Sequence, residues 1–194
     1  MKGLALFDFD GTLIEGDSFI SFGIHAAGRA RFYGRLLLCS PWLAAWKAGL
    51  IPGGRAKERL FGSLFAGMPA EDFRRYCRSF MPVIERSLRH DVIKKMQAHR
   101  RRGDRLVIVS ASPKDWIEPW ARTVGVDEII STGVEVKDGR LTGRFSTPNC
   151  VGDEKVRRVK ELIPDLADYE VYAYGDSRSD EPMLGLAGPR AQKV

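Results

Sequence analysis

Three short apolar runs, each closed by a polar cluster, constrain the fold of this 194-residue chain more than any other feature. Leu4–Phe9 is followed by the turn-forming Asp10-Gly11-Thr12, Arg105–Ser110 is a second such run, and Glu170–Tyr174 is a third, followed by Gly175. Short apolar runs that end at turn residues are typical of buried strands. We therefore expect three strands, widely separated along the chain.

Helical patterns lie between these predicted strands. Asp91–Gly103 and Asp153–Ile163 have apolar residues at helical spacing, and Ser112 can cap a helix that runs to about Gly125 with Pro113 in its first turn. Alternating strands and helices favour an α/β fold with a parallel sheet. The predicted architecture is a Rossmann-like parallel sheet with helices on both faces.

Two segments depart from this alternation. Asp138-Gly139 lies between short strand-like pieces within Val134–Phe145, a strong signal for a β-hairpin, which we place as an antiparallel flap. Residues 15–88 contain no convincing strand and are too many for a loop. We expect a helical cap domain at 15–88 and a catalytic core made of 1–14 and 89–194.

Composition, cysteine positions and hydropathy argue against a protein with a cysteine metal site, a secreted protein and a membrane-spanning protein. The apolar fraction of 44% suits a packed core, and the net charge of +6 favours anionic partners without identifying one. Cys39, Cys77 and Cys150 are too scattered for a metal site and suit a reducing compartment. The N-terminus does not resemble a signal peptide, and the most apolar stretch, Leu36–Trp46, is too short to span a bilayer. We expect a cytoplasmic protein.

Acidic and hydroxyl side chains fall where the predicted strands end. The carboxyl ends of parallel strands share one edge of the sheet, where open α/β folds bind ligands. The two-residue period of a strand also directs the side chains of Asp8 and Asp10 to the same side. The residues expected to converge at this edge are Asp8, Asp10, Ser110, Asp176 and Asp180.

This set of side chains suits metal-assisted phosphoryl chemistry. A cluster of carboxylates is made tolerable by a hard divalent cation such as Mg²⁺, and one of them can act as a nucleophile on phosphorus. Ser110 and Lys155 can supply a hydroxyl and a positive charge to the phosphoryl oxygens. Ser112 remains an alternative to Ser110, and Lys160 remains an alternative to Lys155.

Four motifs resemble those of the haloacid dehalogenase superfamily of phosphohydrolases, in the same order along nearly the whole chain. They are Asp8-Phe9-Asp10-Gly11-Thr12, Val107-Ile108-Val109-Ser110, Lys155 after Asn149-Cys150-Val151-Gly152, and Gly175-Asp176-Ser177-Arg178-Ser179-Asp180. The helical insert after the first motif and the hairpin before the lysine resemble subfamily IB, which contains phosphoserine phosphatase.

The resemblance implies a role for each matching residue. Asp8 would attack phosphorus, and Asp10 would protonate the leaving oxygen and later activate water. Asp8, Asp176 and the Asp10 carbonyl would hold Mg²⁺, with Asp180 supporting the metal or Lys155. Ser110 and Lys155 would contact the phosphoryl group. Further candidate contacts to the substrate are Ala111 and, in the cap, Asp17, Arg55 and Arg59.

The leading hypothesis is a Mg²⁺-dependent phosphomonoesterase that acts on a small phosphorylated metabolite and forms an aspartyl-phosphate. Phosphoserine phosphatases usually carry Ser-Gly-Gly where this chain has Ser110-Ala111-Ser112, so the resemblance leaves the substrate open. One alternative is a phosphatidylglycerophosphate-type lipid phosphatase at the inner face of the membrane. It is favoured by an apolar set, Leu36–Leu38, Trp42 and Trp46, that lies beside the basic residues Arg29, Arg31, Arg35 and Lys47. A lipid-binding module and a phospho-accepting signalling domain without hydrolysis are the alternatives from other classes. We expect no nucleic-acid partner, and the sequence does not fix an oligomeric state.

Overall fold

The computed structural model describes residues 2–194, and five of its strands form one parallel sheet. The strands of this part of the chain are β1 (Lys2–Phe7), β2 (Arg105–Pro113), β3 (Glu128–Thr132), β4 (Val134–Lys137), β5 (Arg140–Phe145), β6 (Tyr169–Gly175) and β7 (Ala191–Lys193). The parallel sheet has the order β3-β2-β1-β6-β7, and β4 and β5 form a separate antiparallel hairpin. The predicted α/β fold and flap are confirmed.

The α-helices of the described residues divide between the sheet and a long insert after β1. They are α1 (Ser18–Ala27), α2 (Arg29–Leu38), α3 (Ser40–Lys47), α4 (Gly53–Phe65), α5 (Ala70–Ser79), α6 (Met81–Arg86), α7 (His90–Arg101), α8 (Lys114–Thr123), α9 (Asp153–Leu162) and α10 (Glu181–Gly185).

Strand β1 lies at the centre of the sheet because both of its faces are apolar. Ala5 and Phe7 belong to one buried cluster together with α7 and α8, whereas Leu4 and Leu6 belong to a second cluster with α9 and α10. Helices therefore cover both faces, as predicted. Phe7 pairs with Ile108 of β2 in one direction and with Tyr174 of β6 in the other. This register brings the residues that follow β1, β2 and β6 to the same edge.

Helices α1–α6 form a unit with an aromatic interior that joins the core. Phe22 of α1 makes edge-on contacts with Phe73 and Phe80, and its ring stacks on Trp116 of α8 at 4.5 Å between centroids. Stacked and edge-on aromatic pairs add to the stabilisation that burial provides. The division into a core at 1–14 and 89–194 and a cap at 15–88 stays a prediction.

The hairpin is bound to the insert by backbone contacts. Asp138 and Gly139 both have positive φ, which the tight turn between β4 and β5 requires. The N–H of Gly67 donates to the carbonyl of Leu141, and that of Ala70 donates to the carbonyl of Gly139, both at 2.8 Å. A Cβ on Gly62 of α4 would lie 2.9 Å from the Gly143 carbonyl oxygen, so this close approach requires glycine.

Three local features differ from the prediction or were not anticipated. Ser112 and Pro113 belong to β2, and α8 begins at Lys114, so Ser112 does not cap that helix. The reason is that the Ser112 N–H bonds the Ser110 hydroxyl and the Ser112 hydroxyl bonds Asp10. Strand β3 was not predicted, and β7 completes the sheet after Asp180 with three residues.

Within residues 2–194, no helix has the length and apolar character needed to cross a bilayer.

Candidate active site

A buried lysine lies between two carboxylates at the carboxyl edge of the sheet. Asp8 directly follows β1, Lys155 is in the first turn of α9, and Asp180 directly precedes α10. The Lys155 Nζ donates to Asp8 Oδ1 at 2.5 Å and to Asp180 Oδ1 at 2.6 Å. Lys155 and Asp180 are each only 1% exposed, and Asp8 is 6% exposed. The three charges form a desolvated cluster rather than a surface ion pair.

Burial and charge act in opposite directions on these three groups. Burial raises the pKa of Asp8, the nearby Asp180 and Asp10 raise it further, and Lys155 only partly opposes them. Burial disfavours the Lys155 ammonium, but Asp8 and Asp180 outweigh it and raise the lysine pKa. Burial also acts to raise the pKa of Asp180, but Lys155 and the Ser177 hydroxyl lower it overall. The cluster therefore holds a permanent cation between two acids.

Asp176 completes a set of oxygens that suits a divalent cation. One side-chain oxygen from each of Asp8, Asp176 and Asp180 lies within 4.8 Å of the others. Asp176 has only a long hydrogen bond, at 3.4 Å, from the Thr12 hydroxyl, and Asp8 Oδ2 has no hydrogen bond in the described part of the chain. Gly11 lies against the Asp176 carboxylate, where a Cβ would clash with Oδ2. An all-oxygen donor set of this kind fits Mg²⁺.

The side chain of Asp10 is held away from the lysine by hydroxyl and amide donors. Its Oδ2 accepts a hydrogen bond from the Ser112 hydroxyl at 2.5 Å, and its Oδ1 accepts one from the Ser18 N–H at 2.7 Å. The Ser18 hydroxyl donates to Ser112 and accepts from Trp116 Nε1. Burial and the charge of Asp17 raise the pKa of Asp10. Asp10 is thus oriented through its side chain, while its backbone carbonyl remains the expected metal contact.

Ser110 and Ala111 lie in the same turn as Ser112. The Ser110 hydroxyl accepts a hydrogen bond from the Ser112 N–H at 3.0 Å, which leaves the Ser110 proton free to donate. The Ala111 carbonyl accepts from Thr132 at 2.8 Å and from Lys57 Nζ at 3.1 Å. Ser110 and Ser112 thus occupy different places: Ser112 bonds Asp10, and Ser110 has a donor to offer. Lys160, the alternative to Lys155, is exposed on α9.

The cap contributes a lysine that sequence reasoning did not select. Lys57 of α4 lies with its ammonium 5.0 Å from the centroid of the Phe19 ring, and its charge acts to lower the pKa of Asp10. Burial lowers the pKa of Lys57 itself. Arg55 and Arg59, the expected cap cations, are one helical turn apart and both line a second groove, and Arg55 also lines the cavity that Lys57 lines. Helical periodicity separates Lys57 from these two arginines around α4, but its place beside Asp10 depends on long-range packing.

A cavity of about 810 Å³ lies between the cap and the core. Lys57 and Asp17 line it near the catalytic edge, and most of its other walls are apolar, including Phe19, Leu60 and Phe145. Asp17 Oδ1 also accepts hydrogen bonds from the N–H groups of Phe19 and Ile20, at 2.7 and 3.3 Å, so this side chain caps α1. The predicted substrate contact at Asp17 is therefore a residue with a structural role as well.

Known proteins are similar to this chain in sequence. A family model described as haloacid dehalogenase-like hydrolase matches residues 5–185. The protein CicA of Caulobacter vibrioides is 34% identical, with 98% of this chain and 86% of the relative covered. A histidinol-phosphatase of Neisseria meningitidis is 29% identical, with 96% of this chain and 87% of that protein covered.

Solved structures are similar to this chain in fold. A Bordetella pertussis protein of unknown function superimposes with a TM-score of 0.80 at 32% identity, covering 95% of this chain and 86% of that chain. A substrate-bound phosphoserine phosphatase superimposes with a TM-score of 0.67 at 19% identity, covering 97% and 84%, and shows the same fold. The chain belongs to the haloacid dehalogenase-like hydrolase family, as its motifs predicted, and is a phosphoric monoester hydrolase.

Proposed function

We propose that the protein hydrolyses the phosphomonoester of a small metabolite with Mg²⁺, through a phosphorylated Asp8. The observation that carries the proposal is the buried Asp8-Lys155-Asp180 cluster with Asp176 beside it, at the edge of the sheet where Asp10 is held by Ser112. Lys155 donates its hydrogen bond to Oδ1 of Asp8, so Oδ2 is the oxygen available to attack phosphorus.

Each residue then has one place in the reaction. Asp8 Oδ2 forms a bond to phosphorus as the ester P–O bond breaks, and Asp10 gives its proton to the departing alkoxide. Asp10 next removes a proton from water, whose oxygen attacks phosphorus, breaks the aspartyl-phosphate bond and releases inorganic phosphate. Ser110 donates to a phosphoryl oxygen, and Lys155 stabilises the negative charge on Asp8 and the phosphoryl group. Burial raises the pKa of Asp10, which helps it to hold the proton it must deliver.

The carboxylates Asp8 and Asp176, together with the Asp10 carbonyl, would hold the metal, and Asp180 would support it. Bound Mg²⁺ supplies positive charge that stabilises the phosphoryl oxygens and orients the phosphate. Lys155 alone does not neutralise the four carboxylates that lie near it. Lys57, on whose pKa the charges of Asp10 and Asp8 act, is a further cation close to this edge.

The cavity favours a substrate with more apolar surface than phosphoserine. Its volume of about 810 Å³ exceeds that of a small amino acid, and its walls are mostly apolar. The charged, hydroxyl and amide side chains that line it are Asp17, Arg55, Lys57, Glu58, Thr147 and Asn149. The relatives named as histidinol and phosphoserine phosphatases make both phosphoesters reasonable test substrates. The apolar lining specifically favours the second candidate function, hydrolysis of a lipid phosphomonoester.

Phosphate release with and without Mg²⁺ tests the proposed function directly. We expect release from an aryl phosphate to stop when EDTA removes divalent cations and to return on addition of Mg²⁺. Phosphoserine, histidinol phosphate and phosphatidylglycerophosphate, assayed in parallel, would rank the substrate classes by kcat/KM. One equivalent of bound phosphate without turnover would instead favour the phospho-accepting signalling domain.

Replacing Ser112 tests the role of Asp10. The Ser112 hydroxyl stabilises the charged form of Asp10, so Ser112→Ala should raise the pKa of Asp10. Because phosphoryl transfer needs protonated Asp10, the descending limb of kcat/KM against pH should move to higher pH. A hydrogen bond worth about 1 kcal/mol corresponds to a shift of about 0.7 pH unit. Ser87→Ala, which removes hydrogen bonds within the turn at α6, should leave the profile in place.

A further inference from the structure

The positive charge of the protein is concentrated in one segment of the cap. Residues 18–57 contain no Asp or Glu and include six basic side chains, which equals the net charge of +6 for the whole chain. The rest of the chain therefore contains equal numbers of acidic and basic residues. None of these six side chains forms a salt bridge in the described part of the chain. The six are Arg29, Arg31, Arg35, Lys47, Arg55 and Lys57.

The same segment exposes large apolar side chains. Helices α2 and α3 bury only Phe32, with Cys39 buried between them. Leu37 and Leu50 are 73% and 77% exposed, and Trp46 is 48% exposed. Other exposed members are Tyr33, Leu38 and Trp42. We call these six side chains and the basic residues around them the α2–α3 face.

A basic groove lies beside this face. Its volume is about 690 Å³, and Arg35, Arg55, Arg59 and Arg144 line it together with Leu38 and Trp42. The guanidinium of Arg59 lies 5.2 Å from the centroid of the Trp42 ring. One guanidinium group can donate two parallel hydrogen bonds to the oxygens of a phosphate. The groove therefore suits phosphate-containing headgroups next to an apolar phase.

We propose that the α2–α3 face docks on a bilayer surface that contains anionic phospholipid. Leucine and tryptophan side chains would enter the boundary between headgroups and acyl chains, while the arginines and Lys47 contact lipid phosphates. Leu36, Leu43 and Trp46 of these helices also line the apolar cavity. Docking would therefore place lipid against the helices that form a wall of this cavity.

The charge pattern favours a bilayer over a second copy of the chain. A symmetric dimer through this face would bring its unpaired cations together with no acidic partner from residues 18–57. An anionic bilayer supplies the opposite charge and an apolar phase in one surface. A bilayer of this kind therefore matches both the cations and the exposed apolar side chains of the face.

Vesicle co-sedimentation of the full chain, measured without substrate, tests docking independently of hydrolysis. We expect binding to vesicles of phosphatidylcholine and phosphatidylglycerol in equal parts, and none to phosphatidylcholine alone. Leu37→Glu combined with Lys47→Glu should weaken partitioning by about tenfold or more, because each basic residue near the surface contributes measurably. The matched control, Leu162→Glu with Lys94→Glu, has the same net charge but alters exposed residues of α9 and α7.

Four outcomes would overturn the inference. The first is equal partitioning into both kinds of vesicle or into neither, and the second is equal loss of binding in the α2–α3 and control variants. The third is a dimer, seen by sedimentation velocity, that Leu37→Glu with Lys47→Glu dissociates. The fourth is an affinity of the protein for polyglutamate that equals its affinity for the vesicles. An acidic polymer offers no apolar phase, so equal affinity would mean that the exposed apolar side chains do not contribute to docking. Leu50→Glu with Arg29→Glu provides a second variant of the face should the first fold poorly.

Discussion

Asp8→Asn should reduce the Mg²⁺-dependent hydrolysis of an aryl phosphate by about 10⁴-fold or more, as expected when a covalent nucleophile is removed. An amide oxygen carries no negative charge and is a poor nucleophile toward phosphorus. The substitution also removes one proposed metal ligand and one of the two acceptors of Lys155. The loss should appear in kcat, measured as phosphate release at saturating substrate, because the attack on phosphorus itself is impaired.

A substitution of the same chemical kind elsewhere separates this effect from a general loss of negative charge. Asp165→Asn changes an exposed carboxylate away from the site and should keep activity near that of the parent. Rapid quenching with acid should trap phosphate on the parent protein and none on Asp8→Asn. Activity of Asp8→Asn within tenfold of the parent would exclude Asp8 as the nucleophile.

Lys155→Met should reduce both stability and activity, since it leaves two acids buried without their cation. Breaking a buried ion pair from one side costs about 3–5 kcal/mol of unfolding free energy. Activity should fall by about 10²-fold or more, as for other lost donors to developing charge. Urea unfolding in EDTA at neutral pH would measure the loss of stability, and phosphate release with Mg²⁺ would measure the loss of activity.

The stability loss in Lys155→Met should depend on pH with a definite sign. Burial already raises the pKa of Asp8, and removing the lysine raises it further. The folded state then binds protons that the unfolded state releases, so stability should rise as the pH falls through the raised pKa. Lys160→Met, on the exposed side of the same helix, should change the unfolding free energy by no more than about 0.5 kcal/mol. If Lys155→Met and Lys160→Met unfolded at the same urea concentration, the buried ammonium would have no such role.

Local sequence patterns were sufficient for the strands that position the site. Leu4–Phe7 is apolar on both faces, so its burial within a parallel sheet follows from its sequence. The Asp138-Gly139 turn was predictable because two successive residues with positive φ favour this pair of residues. The helical spacing of Ala56, Leu60 and Leu64 likewise corresponds to the buried side of α4.

Features that depend on distant partners were not predictable from local patterns. Ser112 was expected to cap a helix, and it bonds Asp10 instead because two strands 102 residues apart in sequence lie side by side. The place of Lys57 near Asp10 depends on how α4 packs on the hairpin and on the other helices of the insert, which no local spacing encodes. Strand β7 has only three residues and pairs with β6 through long-range backbone contacts, so its sequence carries almost no strand signal.

The two chain crossings between the sheet and the helical insert are bonded to each other, which restricts how the insert can move. The N–H of Glu15 donates to Ser87, and that of Arg89 donates to Leu13, at 2.7 and 2.9 Å. The hairpin adds a third attachment through Gly67 and Ala70. A movement of the insert that left the hairpin in place would break these two hydrogen bonds. We therefore expect the insert and the hairpin to move together, and any such movement must also separate the stacked rings of Phe22 and Trp116.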